Sequence, residues 1–171
     1  MEKTEKQIMA KSVVAFGIGE FDPKYTRVLI GNADFRYYDF TNLGTLEVIT
    51  GNASFNNSQV ENLGNLTTIN GDADFRDSQV KSLGNLTTIG EDAYFENSQV
   101  ENLGSLTTIG RNAYIGNSQI KSLEYLTTIG RNAYFGGSEI RDLGNLTEIL
   151  GSAYFGDRTD LRAKWEKRSN K

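Results

Sequence analysis

The stretch from Ala93 to Gly110, AYFENSQVENLGSLTTIG, decides the fold. Displaced by 20 residues in either direction, it recurs almost letter for letter. Ala33, Ala53, Ala73, Ala93, Ala113, Ala133 and Ala153 hold that spacing of 20 with no insertion between them, as do Leu46 to Leu146 and Ile49 to Ile149. A unit this short has no interior of its own. It can bury an apolar edge only against the units before and after it, which is the logic of a solenoid.

Inside the unit, Ala93 and Phe95 point one way and Tyr94 the other, the alternation of a strand. Leu83, Leu86 and Ile89 are separated by three, which predicts a tightly wound segment rather than a second flat strand. Ser98 and Val100, or Ile120 and Ile140 in later units, turn the chain toward the next Leu. Stacked coils place like on like, so the expected core is a set of ladders of Ala, Phe, Val, Leu, Leu and Ile. Parallel strands lie about 4.8 Å apart, so seven coils give a rod roughly 30 Å long. Ser58, Ser78, Ser98, Ser118 and Ser138 sit at the turn, where their hydroxyls are expected to bond backbone groups.

The run Ala-x-Phe-x-x-Ser-x-Val-x-x-Leu-x-x-Leu-x-x-Ile, over about residues 31–155, resembles a leucine-rich repeat. Ile49-Thr50-Gly51-Asn52-Ala53-Ser54-Phe55 further resembles the I-x-G-x-L-x-I step of receptor L-domain-type repeats. Two positions depart from the family pattern: Ala stands for the first strand Leu, and Ser for the Asn of the turn. The resemblance implies a mainly β chain, a single right-handed parallel β-solenoid of leucine-rich-repeat type. It has about seven 20-residue coils and a short capping helix at each end. In so short a unit, extended or 3₁₀-like segments replace the family's convex helix.

Around the repeats of 31–156, the ends read as caps. Residues 1–30 form the N-terminal one. Thr4 and Gln7 have the spacing of a capping box, which predicts a helix over 1–12, and Thr26 to Ile30 reads as a first strand. Residues 157–171 read as a C-terminal capping helix and basic tail. Asp157 or Thr159 starts it, Leu161 and Trp165 share its inner face, and Asp160/Lys164 and Arg162/Glu166 are expected to pair outside.

Composition narrows the chemistry. The chain has no cysteine and no histidine, so it lacks thiolate ligands and the usual general base. Net charge is −4, with +1 on residues 1–12, +3 on 157–171 and therefore −8 on the body. An acidic body opposes a duplex-binding surface. No secretory signal and no spanning run is read, so a cytoplasmic setting is expected, with neither nucleic acid nor membrane as partner. The Asn-x-Ser/Thr matches at Asn52, Asn56, Asn65, Asn85 and Asn145 are chance matches multiplied by the repeat. Asp72, Asp74, Glu91 and Asp92 read as solvated charge on an open face.

The outward strand column is more informative. It runs Asp34, Ser54, Asp74, then Tyr94, Tyr114, Tyr134 and Tyr154. Two residues on, the order is Arg36, Asn56, Arg76, Glu96, then Gly116, Gly136 and Gly156. Packing alone accounts for stacked tyrosines, but rigid aromatics exposed in a row are also what protein interfaces use as anchors. The expectation is a non-catalytic protein-binding module, a scaffold or an inhibitor that blocks its partner, in the manner of stand-alone bacterial or phage inhibitors. It needs no cofactor and no metal. Its face is Tyr94, Tyr114, Tyr134 and Tyr154 with Asp74, or else the divergent first repeat at Arg36, Tyr37 and Tyr38. Self-association through the solenoid ends is a further possibility. The alternative is a carbohydrate- or ice-binding solenoid using Tyr, Asn and Thr ranks such as Thr67/Thr68 and Thr87/Thr88.

Overall fold

The computed structural model describes residues 9–11, 21–36 and 38–169. The chain is a β-solenoid whose turns carry two parallel sheets. One sheet has eight strands. β1 (Met9–Lys11) pairs with β2 (Val28–Ile30), followed by Val48–Ile49, Thr68–Ile69, Thr88–Ile89, Thr108–Ile109, Thr128–Ile129 and Glu148–Ile149. The other has seven, from Ala33–Asp34 through Ala93–Tyr94, Ala113–Tyr114 and Ala133–Tyr134 to Ala153–Tyr154. Here they are called the threonine sheet and the tyrosine sheet. Seven strands in steps of 20 enclose six full turns. A third arc is held by the isolated bridges Asn42–Asn62, Ser82–Asn102 and Ser122–Asp142.

Backbone bonds join each coil to the equivalent residue, or that residue's neighbour, one coil away. Thr107 N–H donates to Thr87 O at 2.9 Å and Thr127 N–H to Thr107 O at 2.9 Å, back along the axis. In the tyrosine sheet the direction reverses, Ala93 N–H donating forward to Asn112 O and Ala113 N–H to Asn132 O, both at 2.9 Å. The core columns are those expected: Phe35, Phe55, Phe75 and Phe95 are fully buried and stack at 4.9–5.4 Å between centroids. Ile115 interrupts the stack, and Phe135–Phe155 resumes it at 5.2 Å.

Several local expectations are corrected. The spacing of three at Leu-x-x-Leu-x-x-Ile hides a strand, since the last two residues before each corner form the threonine sheet. Residues 9–11 of the expected N-terminal helix are strand β1, because its backbone completes the edge of β2; residues 1–8 and 12 lie outside those described. The serine hydroxyls are used unevenly: Val60 and Val100 N–H donate to Ser58 and Ser98 at 3.3 and 3.4 Å, while those of Ser78 and Ser118 have no partner among the described residues.

Two glycine columns are set by backbone geometry. A Cβ on Gly110 would lie 1.9 Å from Gly90 O, so the corner closes only without a side chain. Gly64, Gly84, Gly104 and Gly144 share left-handed φ values of 51–61°, yet the same column holds Glu124 at φ 45°. Its carboxylate accepts from Asn102 Nδ2 at 2.9 Å, a partial offset to the backbone strain.

Helix α1 (Thr159–Ser169) follows the last coil. Leu161 is fully buried and Trp165 packs on the core. The expected outer pairs do not form among these residues; instead Asp160 pairs with Arg158 at 2.9 Å, and Lys164 reaches back to Arg141 O. In the preceding coil Ser118 O, Lys121 O and Glu124 O accept from the N–H groups of Glu139, Arg141 and Asn145. In the last coil no such backbone follows. Arg158 donates to Ser138 O and Ile140 O, Lys164 Nζ to Arg141 O at 2.6 Å, and Arg168 to Gly144 O and Leu146 O at 2.9 and 2.7 Å.

Two stability outcomes follow from this packing. Phe95→Ala removes a fully buried ring between Phe75 and Ile115 and should cost about 3–5 kcal/mol in denaturant unfolding; a loss under about 1 kcal/mol would contradict its burial. Glu124→Gly should raise the unfolding midpoint, with a gain of about 1 kcal/mol from relieving a left-handed non-glycine residue, less the Asn102 contact. A fall in midpoint would show that the contact outweighs the strain.

Candidate functional site

The outer face of the tyrosine sheet is built by the strand alternation. Ala and Phe fill the core, so the residue between them must project outward. From the fourth strand on that residue is Tyr, and parallel in-register pairing sets ring on ring. Tyr94–Tyr114, Tyr114–Tyr134 and Tyr134–Tyr154 lie at 4.9, 4.8 and 4.8 Å between centroids, with planes within 5°. The faces of Tyr114 and Tyr134 are therefore covered by their neighbours. What they offer is a row of ring edges and hydroxyls, with the glycine strip Gly116, Gly136 and Gly156 alongside. Tyr154, at the last strand, is 50% exposed.

Arg111 and Arg131 stand on the corner beside the rings, both exposed. Arg111 bonds Glu91 across one coil at 3.1 Å and approaches Asp92 at 4.0 Å. Arg111 thus stands near the tyrosine row, and tyrosine and arginine are the residue types favoured at the energetic centres of interfaces. Burial pushes the Tyr94 phenol up to about 12, with the Asp92 and Asp72 charges adding to it, and its hydroxyl donates to Asp92 Oδ2 at 3.3 Å. Burial likewise raises Tyr114. Both phenols are therefore uncharged at neutral pH.

The earlier coils differ. Asp34 and Arg36, two apart on one face, form a bidentate pair at 2.6 and 2.9 Å, and Asp74 and Arg76 repeat it at 2.7 and 2.9 Å. The Arg36 bond holds the Asp34 carboxyl below its ordinary range. Arg76 also lies over the Tyr94 ring, 5.0 Å from its centroid. Among the expected site residues, the four tyrosines, Arg36 and Asp74 share the sheet's outer face. Tyr37 lies outside the described residues. Tyr38 is a correction: it is 9% exposed and stacks on Phe40 at 5.4 Å, so it serves the N-terminal core.

One column escaped the sequence reading. Asn32, Asn52, Asp72, Asp92, Asn112 and Asn132 each present Oδ1 to the N–H of the equivalent residue in the next coil, at 2.9–3.2 Å. Its signal was the unbroken run of Asn and Asp at one register. Asp72 and Asp92 are ladder members rather than loose surface charge. Among the described residues, no cluster of three or more acidic side chains could hold a metal ion.

Glu96 marks the change from charged to aromatic coils. Burial raises its carboxyl pKa, opposed by backbone N–H and Arg76 and reinforced by Asp74. A group raised in the folded state adds stability at low pH and loses it as pH rises through the folded value. Glu96→Gln should therefore be more stable than the parent at pH 7, the difference vanishing below about pH 4, where both are neutral. Asp34→Asn should show the opposite, a deficit at pH 7 that shrinks on acidification. Denaturant midpoints at the two pH values read both signs.

No family model, no curated protein and no solved structure matches the chain.

Proposed function

We propose that the chain is a non-catalytic binding solenoid, akin to leucine-rich-repeat modules, that docks a protein partner on the outer face of the tyrosine sheet. The carrying observation is the column itself. Asp34, Ser54 and Asp74 occupy it in three coils, so the fold does not demand tyrosine there, yet four successive coils supply it. Rigid tyrosines bury area with little loss of rotamer freedom, and Arg111 and Arg131 border them. Binding itself is then the output, as scaffold or as blocker, and a cytoplasmic setting belongs to the same proposal. Among the described residues no helix is long and apolar enough to cross a membrane.

Two observations weigh against the alternative ligands. A sugar ring stacks on an aromatic face, and the faces of Tyr114 and Tyr134 are occupied by each other. An ice-binding rank needs paired outward threonines, whereas Thr67, Thr87, Thr107 and Thr127 turn their hydroxyls to carbonyls of the preceding coil at 3.0–3.1 Å.

Replacing Tyr114 and Tyr134 together by Ser removes three ring contacts, so the unfolding midpoint should fall while circular dichroism stays that of the parent, as Ser54 already fits this column. Affinity for a partner isolated from the native host with the parent protein should drop by at least about 2 kcal/mol. Unchanged affinity would place the interface elsewhere.

A further inference from the structure

The tyrosine column stops at Tyr94, and an open cleft of about 350 Å³ follows it over the earlier coils. Ser54 is the small outward residue of this stretch, set between the Asp34–Arg36 and Asp74–Arg76 pairs. Arg76 is fixed by Asp74 with one guanidinium face on the Tyr94 ring. Its coil lies between those of Ser54 and Tyr94, so the opposite face turns toward Ser54, and the side chain is 46% exposed.

Asp72, on the flank of the cleft, repeats the ladder bond of Asp92 but not its side-chain contacts with Asn112, Arg111 and Tyr94. Asp92 uses Oδ1 for the Asn112 N–H at 2.9 Å and Oδ2 for the Tyr94 hydroxyl at 3.3 Å. Asp72 uses Oδ1 for the Asp92 N–H at 2.9 Å, and its Oδ2 makes no hydrogen bond or ion pair among the described residues. The ladder does not require a carboxylate, since Asn52 and Asn132 accept the same bond at the same 2.9 Å. An acidic residue is therefore present where the fold needs only an amide, on a cleft that the uncovered face of Arg76 also lines.

We infer that the Ser54 gap receives a tyrosine side chain of the protein partner, its ring against Arg76 and its hydroxyl on Asp72. This rests on the reading of the tyrosine sheet as a protein-docking face and names what the partner inserts. Both kinds of contact already exist at Tyr94, whose ring lies under Arg76 of the preceding coil and whose hydroxyl is taken by Asp92 of its own coil; at the Ser54 gap the guanidinium and the carboxylate both come from the following coil. A cationic side chain in the same place would face Arg76, and a phenylalanine would leave Asp72 without its donor.

The probe is N-acetyl-L-tyrosinamide, titrated into the full-length protein and followed by amide NMR. Saturable shifts at Ser54, Asp72 and Arg76 are expected, with millimolar affinity, the scale of a single ring with few polar contacts. N-acetyl-L-phenylalaninamide should bind about fivefold or more weakly, and Asp72→Asn should lower tyrosinamide binding to that level. Ser54→Tyr should fill the gap and abolish the titration while the unfolding midpoint is held or raised. Absence of saturable shifts, equal binding of the two probes, survival of binding in Ser54→Tyr, or shifts centred on Tyr154 would each overturn the inference. The Tyr114/Tyr134 double serine variant tests the docking face and should leave this titration unchanged, so the two readings fail separately.

Discussion

In-register backbone bonding between coils governs everything else in this protein. Each residue is tied to its equivalent 20 positions away, so whatever occupies one column must tolerate a copy of itself about 4.8 Å above and below. Rings, amides and aliphatic groups satisfy that condition and form ladders. Charges satisfy it less readily, and one column alternates them over four coils: Glu61, Lys81, Glu101 and Lys121 follow one another before Arg141, with Lys121 and Glu101 at 3.3 Å. Opposite charges on these neighbouring turns also favour the observed register over a slip by one coil.

The same constraint explains what could be read from sequence and what could not. Burial of Phe95, Leu103 and Ile109 follows from periodicity, because a 20-residue copy leaves no other place for the apolar columns. The threonine sheet was hidden because two-residue strands are too short to show alternation, and Leu-x-x-Leu-x-x-Ile gives a spacing of three. Thr4 and Gln7 carry a local helix signal, while Met9–Lys11 answers to an open sheet edge, a tertiary demand that no local pattern records. Tyr38 stands where later coils have Ser, and its place in the core depends on Phe40 beside it. The tyrosine row itself was legible in position and orientation; the Asp–Arg clamps and the bond to Asp92 needed coordinates.

Stacking has a cost for recognition as well as a benefit. Four rings within 5° of parallel are rigid, but each covers its neighbour's face. Hydroxyls and edges are what the ladder middle can present, and those favour directional contacts over broad ring-on-ring burial. Where the ladder ends the situation inverts: Arg76 offers a flat cation and Asp72 an unspent acceptor. One face therefore grades from aromatic to ionic along its length, and a partner lying along the axis meets both.

Arg158, Lys164 and Arg168 reach carbonyls that the backbone of another coil would otherwise meet. Array length is thereby written in side chains rather than in the repeat itself. A duplicated unit joined after Phe155 would have to expel three cations from the positions its own amides require. The same unit duplicated internally, between Gly110 and Gly130 for example, would meet only neighbours identical to its own and leave the terminus as it stands. Growth by duplication is thus open in the middle of the chain and closed at this end.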